Sequence, residues 1–240
     1  MYLNTIYTTF QGEVNKFGIG HPVIFIRLQG CPLRCYKKTL GFLCDTPEAL
    51  EKPSQKGSID TIIGKATALR DITGIKLITL TGGDPLYNNK EDLKQLINGL
   101  IEEGFFISIE TSGALDWRPY QIEGVSLVVD YKSPSTGETH TSLFNKSWDM
   151  AKSLREDDFI KFVVKDEFDM GWTINMLNDL ILHEVKATLA VGAFWGGEYD
   201  TFKIYYALEK AGLAGKVTLN MQAHKLALNP NFEQVIPKEI

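Results

Sequence analysis

The sequence predicts an α/β protein whose mostly parallel sheet curls into a full or partial (β/α) barrel. Two observations carry this expectation. Seven short runs rich in β-branched and other apolar residues recur along the 240 residues, and segments with helical spacing of apolar residues separate several of them. Parallel strands cannot be joined by a tight turn; they need a crossover, and a helix supplies one.

The strand runs are VIFIRL (23–28), KLITLT (76–81), FFISIE (105–110), VSLVVD (125–130), FIKFVV (159–164), ATLAVGAF (187–194) and VTLNM (217–221). Between the first two runs, Ile59, Ile62, Ile63, Ala66 and Leu69 fall on one helix face. Leu93, Leu96, Ile97, Leu100 and Ile101 do the same before the third run, and Ile174, Leu177 and Ile181 before the sixth. A sheet of this kind gathers its site at the carboxyl ends of its strands, where the βα loops converge. Those positions read Gln29-Gly30-Cys31, Gly82-Gly83-Asp84-Pro85, Thr111-Ser112-Gly113, Tyr131-Lys132-Ser133-Pro134, Lys165 and Gln222-Ala223-His224-Lys225. Polar, glycine-rich and thiol chemistry is therefore concentrated on one rim.

At 44% hydrophobic and 23% charged residues, the chain can bury a full core, and a single domain over 1–240 is expected. About 36–58 reads as an insertion or lid. The net charge of −5 is mild and the Lys and Arg residues are scattered, which argues against a nucleic-acid or membrane surface and favours a small-molecule substrate. No long uncharged apolar stretch occurs, and MYLNTIYTTFQGE lacks the features of a signal peptide. A soluble, cytoplasmic protein is expected.

Three cysteines, Cys31, Cys35 and Cys44, lie within fourteen residues, and the rest of the chain has none. That layout suits a metal or cluster site in a reducing compartment better than a disulfide framework. Thiolates on one strand-end loop suit an iron–sulfur cluster, and three ligands on a four-iron cluster leave one iron open. The alternatives are a zinc site completed by His21, or three inert thiols. Zinc is disfavoured because His21 lies at the other end of the strand from Cys31, roughly 20 Å away.

The segments F-Q-G-E (10–13), F-I-R-L-Q-G-C-P-L-R-C (25–35), C-D-T (44–46), T-G-G-D-P (81–85), I-E-T-S-G (109–113), D-Y-K-S-P-S-T-G (130–137), K-F-V-V (161–164) and Q-A-H-K (222–225) together resemble the 7-carboxy-7-deazaguanine synthases of the radical S-adenosylmethionine (SAM) superfamily. The resemblance runs from about residue 7 to 225 and implies a partial barrel of the radical SAM type. Two departures stand out. The superfamily spacing is C-x3-C-x2-C, whereas eight residues, Tyr36 to Leu43, separate Cys35 from Cys44, and a tail at about 229–240 extends beyond the usual end of the family. The inserted residues are expected to cover the cluster side or to dock a reductase.

The resemblance implies a [4Fe–4S] cluster on Cys31, Cys35 and Cys44, with SAM on the open iron and an electron from flavodoxin or ferredoxin. It implies a 5′-deoxyadenosyl radical that starts the conversion of 6-carboxy-5,6,7,8-tetrahydropterin to 7-carboxy-7-deazaguanine with loss of ammonia. No residue is assigned as a catalytic acid or base. SAM contacts are expected from Gly82, Gly83, Asp84, Glu110, Thr111, Ser112, Lys132 and Ser133. For the substrate, Arg27, which alternates away from Ile26 and Leu28, suits the carboxylate. Gln11 and Glu13, before the first strand run, suit the guanidine-like pterin edge. Asp45, Gln222 and His224 are further candidates, and Thr46 is the implied ligand of Mg²⁺. A homodimer is also implied. The competing readings are another radical SAM reaction, such as glycyl-radical activation, and a non-catalytic iron–sulfur or metal-binding module.

Overall fold

In the computed structural model, the described residues are 1–41, 44, 46–51 and 57–227. Eight strands form one sheet in sequence order: β1 (Leu3–Phe10), β2 (Pro22–Leu28), β3 (Leu77–Gly82), β4 (Phe106–Thr111), β5 (Val125–Asp130), β6 (Phe159–Val164), β7 (Thr188–Ala193) and β8 (Thr218–Asn220). β1 runs antiparallel to β2, and every other neighbouring pair is parallel. β1 and β8 are not joined by a ladder, so the barrel is open.

The crossover helices are α1 (Ile59–Thr73), α2 (Lys90–Glu102), α3 (Trp148–Lys152), α4 (Glu167–Leu182) and α5 (Thr201–Lys210), and α6 (Ala223–Ala227) follows β8. Local chemistry fixes several of their ends. Asn89, Asp166 and Asp200 cap α2, α4 and α5 by accepting backbone N–H bonds that would otherwise be orphaned. α1 stops at Gly74, which takes the left-handed conformation with φ of 75°. No helix among the described residues is long and apolar enough to cross a membrane.

Strand alternation divides the sheet into two unlike faces. Ile24, Ile26, Leu28, Ile78, Leu80, Ile107, Ile109, Leu127, Val129, Ile160, Phe162 and Val191 pack with Ile62, Leu93, Leu96 and Leu177 of the helices in one continuous core. The intervening positions, among them Arg27, Thr79, Thr81, Ser108, Glu110, Asp130 and Lys161, therefore face the concave side. A concave face this polar is poor core material but a usable ligand wall.

Two elements depart from the sequence reading. Leu3–Phe10 is a strand, so Gln11 and Glu13 follow the first strand instead of preceding it. Every residue of that edge strand is half-buried and three of its eight are threonine, which leaves no buried apolar run to read. α5 was also not anticipated: only Ile204 and Leu208 are buried, while Phe202, Tyr205 and Tyr206 are exposed, so its apolar residues do not mark a single core-facing stripe.

A candidate active site at the carboxyl ends of the strands

Cys31 and Cys35 follow β2 and pack with Leu33 and Leu50 in a small apolar cluster that Cys44 borders. None of the three forms a disulfide. Burial pushes the Cys31 thiol up to about 12 and raises that of Cys35. The Lys132 ammonium lies close enough to act on both sulfurs, favouring their thiolates. Among the described residues no three His, Cys, Asp or Glu side chains stand in a metal-ligating array. Residues 42, 43 and 45, which flank Cys44, lie outside the described residues, and so does the candidate Asp45. Soft sulfur donors without a disulfide, beside a cation that favours thiolate, fit an iron–sulfur group.

The inserted stretch leans on neighbouring loops. Tyr36 N–H donates to Thr136 O at 2.8 Å, and its ring packs on Phe194 with centroids 5.0 Å apart. Thr39 Oγ1 donates to Ser135 O. Thr46 precedes a short 3₁₀ turn, and its N–H approaches Cys44 Sγ at 3.4 Å.

The glycine motif after β3 packs against the thiol loop. A Cβ on Gly83 would lie 2.5 Å from Ala49 O and 2.6 Å from Gly30 O, and one on Gly82 would lie 2.1 Å from Leu28 O. Both glycines thus admit the protein's own backbone. Asp84 is fully buried and joins the ends of β3 and β4. It accepts from Leu86 N at 3.0 Å, Thr111 Oγ1 at 3.0 Å, Ser112 N at 3.1 Å and also Ser112 Oγ. Burial nonetheless raises its pKa. The side chains of Thr111 and Ser112 therefore engage Asp84, and Ser133 Oγ donates to Val163 O.

A chain of charges crosses the concave face. Lys132 Nζ lies 2.5 Å from Asp130 Oδ2, Lys161 Nζ lies 3.3 Å from Asp130 Oδ1, and Lys161 Nζ lies 2.6 Å from Glu13 Oε2. Burial opposes the charged form of Glu13, yet Lys161 and the Gln222 amide outweigh it and hold its pKa down to about 2. Asp130 is likewise held low by the two lysines against its burial. Lys132 and Lys161 are raised against theirs, Asp130 being the largest opposing influence on both. Glu110, which bonds Thr81, is raised by burial despite Lys161.

Across the open side of the barrel, side chains replace a strand ladder. Gln222 Nε2 donates to Glu13 Oε1 at 2.8 Å, Asn220 Nδ2 to Glu13 Oε2 at 3.3 Å, and Val14 N–H to Asn220 Oδ1 at 2.9 Å. Ala223 N–H donates to Gly12 O at 2.8 Å. His224 packs on Gly12 so closely that a Cβ there would lie 2.2 Å from Nδ1. Gln11 Nε2 donates to Glu13 O at 2.9 Å, and its Oε1 accepts from Thr79 Oγ1 at 2.7 Å. Gln11, Glu13, Gln222 and His224, far apart in sequence, are thus brought together.

Arg27 shares the concave side with Phe25, its guanidinium carbon 5.3 Å from the ring centroid, and it bonds the Tyr7 hydroxyl. Among the described residues it forms no ion pair within 4.0 Å, in contrast to Lys132 and Lys161. A half-buried guanidinium on a ligand wall with no carboxylate partner suits an anionic ligand. Sequence reasoning passed over Lys161, Asp130, Asn220 and Tyr7 as site residues. The signal for Lys161 was present in FIKFVV, because a charge inside a buried strand requires a partner.

No protein-family model matches the chain. Several curated proteins do. The 7-carboxy-7-deazaguanine synthase of Leptospira interrogans is 33% identical, covering 93% of this chain and 93% of that protein. The synthase of the same name from Methanopyrus kandleri is 30% identical over 92% of this chain and 91% of its own length. That of Methanospirillum hungatei is 29% identical over 85% of this chain and 77% of its own.

Proposed function

The chain belongs to the 7-carboxy-7-deazaguanine synthase family, and on that premise we propose that it converts 6-carboxy-5,6,7,8-tetrahydropterin to 7-carboxy-7-deazaguanine with loss of ammonia. The observation that carries this reading is a loop with three cysteines outside any disulfide at the end of β2, together with Arg27 and Glu13 as candidate ligand groups.

Cys31, Cys35 and Cys44 would hold the [4Fe–4S] cluster. When bound, the cluster and SAM supply the radical that removes a hydrogen atom from substrate carbon. The protein's part is placement. Gly82 and Gly83 let the β3 loop lie against the thiol loop, and Asp84 fixes the ends of β3 and β4 where Thr111 and Ser112 meet SAM. Glu110, Lys132 and Ser133 complete that side. Arg27 pairs with the substrate carboxylate, and Gln11 and Glu13 present acceptors to the pterin's donor edge. Gln222 and His224 close the substrate from the β8 side.

Finer parts of the reading rest on family likeness. They are Mg²⁺ held by Thr46 with Asp45 beside it, a flavodoxin or ferredoxin as electron donor, a homodimer, and a single domain bearing the insertion at about 36–58 and the tail at about 229–240.

The test is anaerobic reconstitution with iron and sulfide, then turnover of 6-carboxytetrahydropterin with SAM, dithionite and Mg²⁺, read by mass spectrometry. Deazaguanine product that disappears in Cys31→Ala, Cys35→Ala and Cys44→Ala supports the assignment. Formation of 5′-deoxyadenosine without deazaguanine would move the substrate elsewhere within radical SAM chemistry. A verified four-iron cluster that neither binds nor cleaves SAM would overturn the reading.

A further inference from the structure

Among the described residues, Lys161 is the one buried cation that touches both halves of the site. It projects from the middle of β6, is 8% exposed, and contacts Glu13 at 2.6 Å and Asp130 at 3.3 Å. Asp130 in turn bonds Lys132, which lies beside the thiols. Glu110 on β4 faces the same ammonium.

An ionised carboxylate has about four acceptor positions, two on each oxygen. On Glu13, Lys161 and Asn220 occupy Oε2 and Gln222 occupies one position of Oε1. Oε2 thus carries two of these donors and Oε1 one, and His224 also acts on this carboxylate. The amides of Asn220 and Gln222, with the backbone bond from Ala223 to Gly12, already fasten this loop to β8. Fastening alone therefore needs no buried ammonium, whose desolvation is costly. Lys161 adds a fixed charge that keeps Glu13 ionised and its carboxylate plane in one orientation.

We propose that Lys161 is a positioning residue for substrate recognition, pinning the Glu13 carboxylate so that Oε1 meets a donor of the pterin edge. The proposal rests on the reading of Glu13 as the ligand of that edge. It also makes Lys161 the mechanical link between the substrate side and the Asp130–Lys132 pair.

The experiment is anaerobic titration calorimetry of 6-carboxy-5,6,7,8-tetrahydropterin into the reconstituted holoenzyme with SAM and no reductant, so that binding is read without turnover. The proteins are wild type, Lys161→Met, Lys161→Arg, Glu13→Gln and the Lys161→Met/Glu13→Gln pair. Misplacing a single ligand group costs on the order of 10- to 100-fold, and Lys161→Met should weaken binding by about that factor. Lys161→Arg should recover part of the loss. The double variant should bind no worse than Glu13→Gln alone, because both changes remove the same interaction. Wild-type affinity in Lys161→Met, or losses that multiply in the double variant, would overturn the proposal. If Lys161→Met alone fails to fold, as judged by cluster absorbance and thermal melting, the arginine and double variants decide. Failure of the wild type to bind the pterin is a separate result that removes the reading of Glu13 and this proposal with it.

Discussion

Replacing Gly82 by alanine tests whether the close approach of β2 and β3 holds the thiol loop. The new Cβ would stand 2.1 Å from Leu28 O, 2.7 Å from Leu28 N and 2.8 Å from Leu28 C, all backbone atoms of the adjacent strand. Ordinary contact begins at 3.4 Å, so the Leu28 peptide must retreat by the difference, 3.4 less 2.1 or about 1.3 Å. The retreat also breaks the bond from Gly83 N–H to Leu28 O. Overpacking costs about 1–3 kcal/mol and the lost bond about 1 kcal/mol, for a destabilisation of about 2–4 kcal/mol. In a chain of this size that lowers Tm by roughly 5–15 °C. Gly64→Ala is the control: Gly64 sits within α1 with nothing within 4 Å of its would-be Cβ, so helix propensity predicts a gain of about 1 kcal/mol. Anaerobic calorimetry of the two apo variants should show Tm moving in opposite directions. Because Leu28 leads through Gln29 and Gly30 into Cys31, Gly82→Ala should also take up less iron on reconstitution. A Gly82→Ala protein that melts with the wild type and loads iron fully would refute the reasoning.

Glu13 and Arg27 lend themselves to separate tests. The folded pKa of Glu13, about 2, lies below its ordinary value of 4.5, so its ionised form stabilises the fold above about pH 4.5, and that contribution is lost as pH falls toward 2. The shift corresponds to about 3 kcal/mol. Glu13→Gln should therefore lower the urea midpoint clearly at pH 7 and progressively less below pH 4, as protonation of Glu13 removes its contribution from the wild type. An equal deficit at every pH would mean that shape, not charge, is what the position requires. Arg27→Met should weaken binding of 6-carboxytetrahydropterin by on the order of 100-fold and leave tetrahydropterin lacking the carboxylate nearly unaffected. Equal losses for the two ligands would reduce Arg27 to a packing partner of Phe25 and Tyr7.

Much of the site was legible because its chemistry is carried by residue types that have few other uses. Three thiols within fourteen residues, a Gly-Gly-Asp after an apolar run, and an arginine alternating with Ile26 and Leu28 each point to the strand-end rim. The roles of individual side chains were less legible. Asp84, Thr111 and Ser112 read alike as SAM ligands, yet they bond one another. That hub forms only when β3 and β4 lie side by side, and no local spacing encodes it.

The sequence by itself determined the parallel α/β plan, the seven runs that form strands β2 to β8, and the strand-end rim on which the candidate site is sought. Period-two and helical apolar patterns record which face of each element meets the core, and that information is local. Tertiary structure alone decided that Leu3–Phe10 joins the sheet as its antiparallel edge, and that Glu13 reaches across to Lys161, Asn220 and Gln222. Those partners stand 148, 207 and 209 residues away from Glu13. Buried charges must find partners wherever the curvature of the sheet places them, and that curvature belongs to all eight strands together.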